Sequence, residues 1–253
     1  MTALLLDVGN TRLKWGVLED GTIRRTGHIS HASIREGGLA ALTSKLPRDV
    51  DAVMASNVAG ASFATRLAGV IGLHCGCDVH FAHSERSADG VTNGYRQPRR
   101  LGVDRWVAMI GAWAEFHKAC LVVDAGTAVT IDAIDRSGQH LGGQILPGIG
   151  LMREALARHT SDLPNVTSRA AKAAGGMDMF GNSTAAAITH GASGAVIGAI
   201  EHAAAAMRAG GYRKPAVVLT GGDASRILTA LGGEPSHRPH LVLQGLAELV
   251  DTR

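Results

Sequence analysis

Apolar positions along this chain fall into short runs, each stopped by a polar or glycine-containing turn, interleaved with segments of helical spacing. The first run, Ala3 to Leu6, ends at a carboxylate, Asp7. Gly9 and Asn10 follow, residues that tolerate positive φ and so permit a tight reversal. Beyond the turn, Leu13, Trp15 and Val17 alternate with Arg12, Lys14 and Gly16, the period of a half-buried strand. The pattern predicts a β-hairpin and then a third antiparallel strand over Thr22 to Ile29. Ile34, Leu39, Leu42 and Leu46 are spaced for one helix over Ser33 to Leu46. Ala52 to Ser56 reads as a short buried strand, Ser62 to Leu73 as an amphipathic helix and Val79 to Phe81 as another strand. Asp89 to Leu101, with Asn93-Gly94-Tyr95 and Pro98, reads as a loop. A helix over Asp104 to Lys118 places Trp106, Met109, Ile110, Trp113 and Phe116 on its apolar side.

The opening pattern then recurs. Leu121-Val122-Val123-Asp124-Ala125-Gly126-Thr127 repeats Leu5-Leu6-Asp7-Val8-Gly9-Asn10-Thr11: an apolar strand ending in Asp-x-Gly, with a second strand behind it. Gln139 to Leu146 is the third strand of this unit and runs into Gly142-Gly143-Gln144-Ile145-Leu146-Pro147-Gly148. Helices are predicted at Ile149 to His159 and Ser183 to Arg208, and a buried strand at Ala216 to Thr220 stopped by Gly221-Gly222-Asp223. A short helix, a strand at Leu241 to Leu243 and a closing helix complete the chain. A supersecondary unit repeated half a chain apart implies two related halves. The expected fold class is α/β: two halves, 1–117 and 118–253, each a mixed sheet flanked by helices, with a cleft between them and the last helix able to pack back on the first half.

Composition narrows the function classes. At 253 residues with 45% hydrophobic content the chain can bury a real core. Thirty-three glycines and only 4% aromatics favour tight turns over an aromatic-lined pocket. The formal charge is only +3, and no Lys/Arg block is interleaved with aromatics, so nucleic-acid binding is not expected. Three cysteines are the usage of a reducing compartment, and the apolar N-terminal run is too short for a signal peptide, so a cytoplasmic location is expected. The longest weakly polar stretch, Ala185 to Met207, is broken by His190, Glu201 and His202 and reads as a buried or interface helix rather than a membrane span.

Two carboxylate-tipped hairpins can face each other across a cleft, Asp7 and Asp124 both pointing at the space for a nucleotide triphosphate and its metal. Glycine turns let the backbone approach phosphate oxygens, a carboxylate serves the metal shell and Lys14 supplies charge. Gly221-Gly222 can run close to an adenine or ribose for the same steric reason. Asp104 sits at a helix start, where it is either a cap or a base for an incoming hydroxyl. Arg105 is either a solvated charge or a bidentate anion ligand. His74, Cys75, Cys77, His80 and His83 invite a zinc reading, but their spacing fits no standard finger, and Cys75, Cys77 and Val79 alternate like one face of a strand. The chain has no P-loop motif and no Gly-x-Ser-x-Gly elbow.

Taken together, Asp7-x-Gly9-Asn10-Thr11-x-x-Lys14, Gly102-x-Asp104-Arg105, Asp124-x-Gly126-Thr127 and Gly142-Gly143-x-Ile145-x-Pro147-Gly148 resemble the motifs of the bacterial type III pantothenate kinases, members of the acetate kinase/sugar kinase/Hsp70/actin superfamily. The related sugar kinases share the hairpins but lack Gly102-x-Asp104-Arg105. The resemblance implies two ribonuclease H-like halves and ATP-dependent phosphorylation of pantothenate, the first step of coenzyme A biosynthesis. It assigns ATP and its Mg2+ to Asp7, Val8, Gly9, Asn10, Thr11, Arg12, Leu13 and Lys14, with Thr127 touching phosphate and Gly221 and Gly222 flanking the adenine. It assigns a monovalent cation, K+ or NH4+, to Asp124. It assigns pantothenate to Tyr95, Gly102, Val103, Asp104 and Arg105, with Asp104 as the base, and to Thr184 reaching across a homodimer. Two rival readings are a non-catalytic regulatory protein that keeps the fold, and a superfamily kinase acting on another small hydroxyl compound.

Overall fold

The computed structural model describes residues 1–166 and 179–251, arranged as two compact units. The first comprises Met1–His117, Ser137–His140 and the segment from His240. The second comprises Lys118–Arg136 and Leu141–Pro239.

The first unit is built on a five-stranded sheet of order β3-β2-β1-β4-β5, with β1 Thr2–Val8, β2 Arg12–Glu19, β3 Thr22–Ser30, β4 Ala52–Asn57 and β5 Val79–Phe81. Strands β1 to β3 are an antiparallel meander, and β4 joins β1 in parallel. Asp20 and Gly21 turn β2 into β3, both with positive φ, as a two-residue hairpin turn requires. On one face, Leu4, Leu6, Val8, Leu13 and Val53 pack against Ile34, Leu42, Leu67 and Ile71 of helices α1 (His31–Gly37), α2 (Ala40–Thr43) and α3 (Ala61–Cys75). The expected single helix over 33–46 is therefore two short ones. Gly38, at φ +66°, breaks the helical path between them.

Residues 89–101, expected as plain loop, contain half of a small hairpin, β6 (Ser87–Ala88) with β7 (Val91–Thr92), and a 3-10 turn at Pro98–Arg100. Helix α4 (Val103–Phe116) follows.

The second unit repeats the topology. Its sheet runs β10-β9-β8-β11-β12, with β8 Cys120–Ala125, β9 Ala128–Ile134, β10 His140–Pro147, β11 Ala216–Thr220 and β12 Ser236–His237. Again the central strand pairs antiparallel with its successor and parallel with a later strand. Helices α5 (Ile149–His159), α6 (Thr184–Ala209) and α7 (Ala224–Leu228) bury Ile149, Val196, Ile200 and Ile227 against Leu121, Val123, Ile131 and Leu219. Two mixed sheets of identical order, each covered by helices, give the expected duplicated α/β fold of ribonuclease H-like halves.

The expected strand at 241–243 is instead the first turn of a closing helix, α8 (Leu241–Asp251). Its apolar side packs on α4 and on β1 and β4, within the first unit. Gly111 and Gly245 meet where the two helices cross, and a Cβ on Gly245 would fall on the Val107 carbonyl.

Candidate active site

The β1–β2 turn is closed by the Gly9 N–H donating to the Arg12 carbonyl at 3.1 Å. Neither Gly9 nor Asn10 takes positive φ, contrary to expectation. What Gly9 supplies is room, since a Cβ there would lie 3.3 Å from the Arg12 oxygen. The His31 ring bonds the Gly9 carbonyl (2.9 Å) and the His31 N–H donates to the Thr11 carbonyl (3.0 Å), so α1 pins the turn from behind. Val8 and Leu13 are core residues, and what they can offer a ligand is backbone. Asn10, Thr11 and Arg12 stand exposed at the tip. Asp7 is buried and faces the half-buried Lys14 in the antiparallel register.

In the second unit the corresponding turn is tighter, with the Gly126 N–H donating to the Ala128 carbonyl at 3.0 Å. Thr127 is exposed and Asp124 half-buried. Two glycines from elsewhere close on this turn. Gly148 donates its N–H to the Thr127 carbonyl (2.9 Å), and a Cβ on it would collide with the carbonyls of Gly126 and Thr127. Gly221, at φ +96°, lies so close that a Cβ would sit 2.5 Å from the Asp124 Oδ1. Gly221 thus backs the carboxylate, while Gly222 is exposed beside it.

A parallel between the units was not read from the sequence. Asp7 on β1 stands in register with Ser56 on β4, and Asp124 on β8 with Thr220 on β11. Ser56 is 0% exposed and Thr220 1%, and neither hydroxyl has a hydrogen-bond partner among the described residues. Burying a hydroxyl without a partner is unfavourable. Its repetition beside both carboxylates is the oxygen-donor chemistry that hard cations take. The only sequence signal was a hydroxyl residue ending each apolar strand.

The acceptor cluster lies wholly in the first unit. Gly102 caps α4, Val103 opens it and Asp104 occupies its first turn, half-buried, with its Oδ1 accepting from the Arg105 N–H at 2.8 Å. Arg105 is 6% exposed, so it is no solvated surface charge. Its Nη1 donates to the Tyr95 hydroxyl at 3.0 Å, and its guanidinium lies 5.7 Å from the Tyr95 ring centroid. A second neighbour of that ring is His140, stacked with a 5.8 Å centroid separation and a 16° tilt. His140 was not anticipated, because its place depends on how β10 enters the unit. Asn93, fully buried, holds the Tyr95 loop: its amide donates to the Glu85 and Pro98 carbonyls and its Oδ1 accepts from the Tyr95 N–H. Gly94 lets this loop pass against the His140 carbonyl.

Thr184 is exposed at the first position of α6, behind the Ser183 cap. It lines an apolar groove of about 940 Å3 in the second unit, with Leu151, Leu156 and Ile188.

Cys75 ends α3, Gly76 takes the left-handed cap conformation (φ +72°), and Cys77 follows in a loop, so the strand-like alternation is not realised. Burial pushes both thiols above their usual range, and among the described residues no group of three or more His, Cys, Asp or Glu side chains is placed to hold a metal ion. Among the described residues no helix is long and apolar enough to cross a membrane.

The sequence profile of the type III pantothenate kinases matches residues 3–206. The chain is 37% identical over 243 residues to the type III pantothenate kinase of Thiobacillus denitrificans, covering 96% of this chain and 94% of that one. It is 41% identical over 246 residues to that of Azoarcus sp., covering 96% and 89%. Among solved structures, a Campylobacter jejuni protein described as a Baf family transcriptional activator shares the fold, with a TM-score of 0.65, 21% identity and 98% coverage of both chains. By profile and by identity along nearly its whole length, the chain belongs to the type III pantothenate kinase family.

Proposed function

We propose that the chain transfers the terminal phosphoryl group of ATP to the hydroxyl of pantothenate, giving 4'-phosphopantothenate. The observation that carries this reading is the pairing at the start of α4. A half-buried carboxylate, Asp104, adjoins a buried guanidinium, Arg105, braced by Tyr95. An acceptor with a hydroxyl at one end and a carboxylate at the other is what such a pair can orient. Asp104 positions the hydroxyl and takes its proton as the oxygen–phosphorus bond forms and the bond to ADP breaks. Arg105 and Tyr95 hold the carboxylate end.

On the donor side, the Gly9–Arg12 turn offers backbone N–H groups and Thr11 to the triphosphate, and Lys14 offsets its charge. Asp7, with the Ser56 hydroxyl alongside in register, suits Mg2+ held directly or through water. Asp124 and Thr220 supply oxygens of the kind a K+ or NH4+ ion takes, and Thr127 contacts phosphate. These ions, when bound, neutralise phosphate charge. Gly222, exposed beside the packed Gly221, leaves room for the nucleoside base. The α5–α6 groove, with Thr184 at its edge, is the face on which a second copy docks to form a homodimer, and the site of action is the cytoplasm.

Replacing Asp104 by Asn tests the assignment. Turnover is expected to fall about 10²- to 10⁴-fold, the range for loss of a general base. Affinity for a non-hydrolysable ATP analogue should be unchanged. Near-normal turnover of the purified variant would refute the role.

A further inference from the structure

The one buried cation in α5 is not used by the reading above. Arg153 stands in the second turn of this helix and is 8% exposed. Its Nε and Nη1 are buried, and neither has a hydrogen-bond partner among the described residues. The adjacent carboxylate, Glu154, is paired with Arg158 at 2.6 Å. A guanidinium stays charged at any accessible pH. A buried charge left uncompensated is among the least favourable arrangements in a protein. It persists where a ligand completes it.

Direction follows from helix geometry. Helical side chains lean toward the N-terminus of their helix. A Cβ placed on Gly150 would lie 4.0 Å from Arg153 Nη2, so the guanidinium reaches back along the first turn. That turn has an uncapped start: Gly148 provides no side-chain cap, and the first turn holds no acidic residue. Helix N-termini attract anions through their N–H groups and dipole. The Gly148 N–H also bonds the Thr127 carbonyl, which ties this helix start to the Asp124–Thr127 turn.

We propose that Arg153 and the first turn of α5 form an oxyanion site that takes a phosphoryl group of the nucleotide. The proposal rests on the reading of the Thr127 turn as a phosphate contact. Arg153 binds the oxygens bidentately, and the helix start adds its dipole.

The test uses the intact protein and binding alone. Isothermal titration with inorganic phosphate, a non-hydrolysable ATP analogue and pantothenate is run on the wild type, Arg153→Met and Arg153→Lys, with a melting curve of each ligand-free protein. The expected result for R153M is at least tenfold weaker binding of phosphate and of the analogue, pantothenate affinity within twofold, and a higher melting temperature, because an uncompensated charge is gone. R153K should lie between the two in binding, which also covers the case that R153M does not fold. Unchanged phosphate and analogue affinity in the variants would overturn the site. Loss of pantothenate binding alone would overturn the phosphoryl assignment in favour of a carboxylate. If the wild type binds phosphate through Arg153 but no nucleotide, the kinase reading and the nucleotide assignment both fail, and only an oxyanion site remains.

Discussion

At the scale of single residues, the chemistry-bearing types were legible and their surroundings were not. Asp7 and Asp124 announce themselves as carboxylates at the ends of apolar runs, and Asp104 as one at a helix start. That Arg105 is buried beside Tyr95, or that His140 stacks on that ring, depends on contacts 10 and 45 residues apart that no local spacing encodes. Asp89 is another residue whose environment only the fold reveals. Its Oδ2 is buried, with no hydrogen-bond partner among the described residues, beside a cavity of about 250 Å3 lined also by His83, Glu85 and Trp106. Burial holds its carboxyl above the usual range. A raised carboxyl favours the protonated form in the folded state. Its stabilising contribution is therefore full below the unfolded value near pH 4 and is lost as pH rises through the folded value. Asp89→Asn should raise the melting temperature at pH 7, and the gain should vanish near pH 3. Asn also accommodates the φ of +45° at this position. An equal gain at both pH values would show that charge is not the cause.

At the scale of elements, period and turn residues gave the meander, the parallel strands and the long helices. The misses have physical reasons. One apolar triplet, Leu241 to Leu243, fits a buried strand and a buried helix face equally well, and packing against α4 decides for the helix. Gly37-Gly38 interrupts a helical spacing that otherwise continues to Leu46. Glycine roles likewise separate by context. Gly148→Ala would drive a Cβ into the carbonyls of Gly126 and Thr127 and is expected to destabilise by about 1–3 kcal/mol, the usual range for overpacking. Gly69→Ala, exposed inside α3 with nothing within 4 Å, should stabilise by about 0.5–1 kcal/mol. Urea titration of the two variants checks the contrast, and a similar shift for both would contradict the close packing of α5 on the Thr127 turn.

At the scale of the whole molecule, the duplicated Asp-x-Gly hairpin foretold two sheets of one order, because a repeated pattern of strands and turns folds by the same rules twice. The hydroxyls beside both carboxylates were beyond reach, since register between β1 and β4, or β8 and β11, is set by the sheet and not by sequence distance. The groove between α5 and α6, with Leu151 and Leu156 partly exposed at its wall, leads to a prediction about assembly. Light scattering on the purified protein should give twice the chain mass of 26.2 kDa, and Leu156→Asp should shift it toward one chain. A wild-type mass of one chain at micromolar concentration would contradict the dimer.

Whether this chain phosphorylates pantothenate is decided by the product. Wild-type protein is incubated with Mg-ATP, K+ and a panel of small hydroxyl compounds including pantothenate, and each mixture is read by mass spectrometry and phosphorus NMR. The expected result is a phosphomonoester of pantothenate, formed in step with ADP, and no comparable product from the other compounds. ADP released at the same rate without pantothenate, or a phosphoester formed instead on another member of the panel, would contradict it.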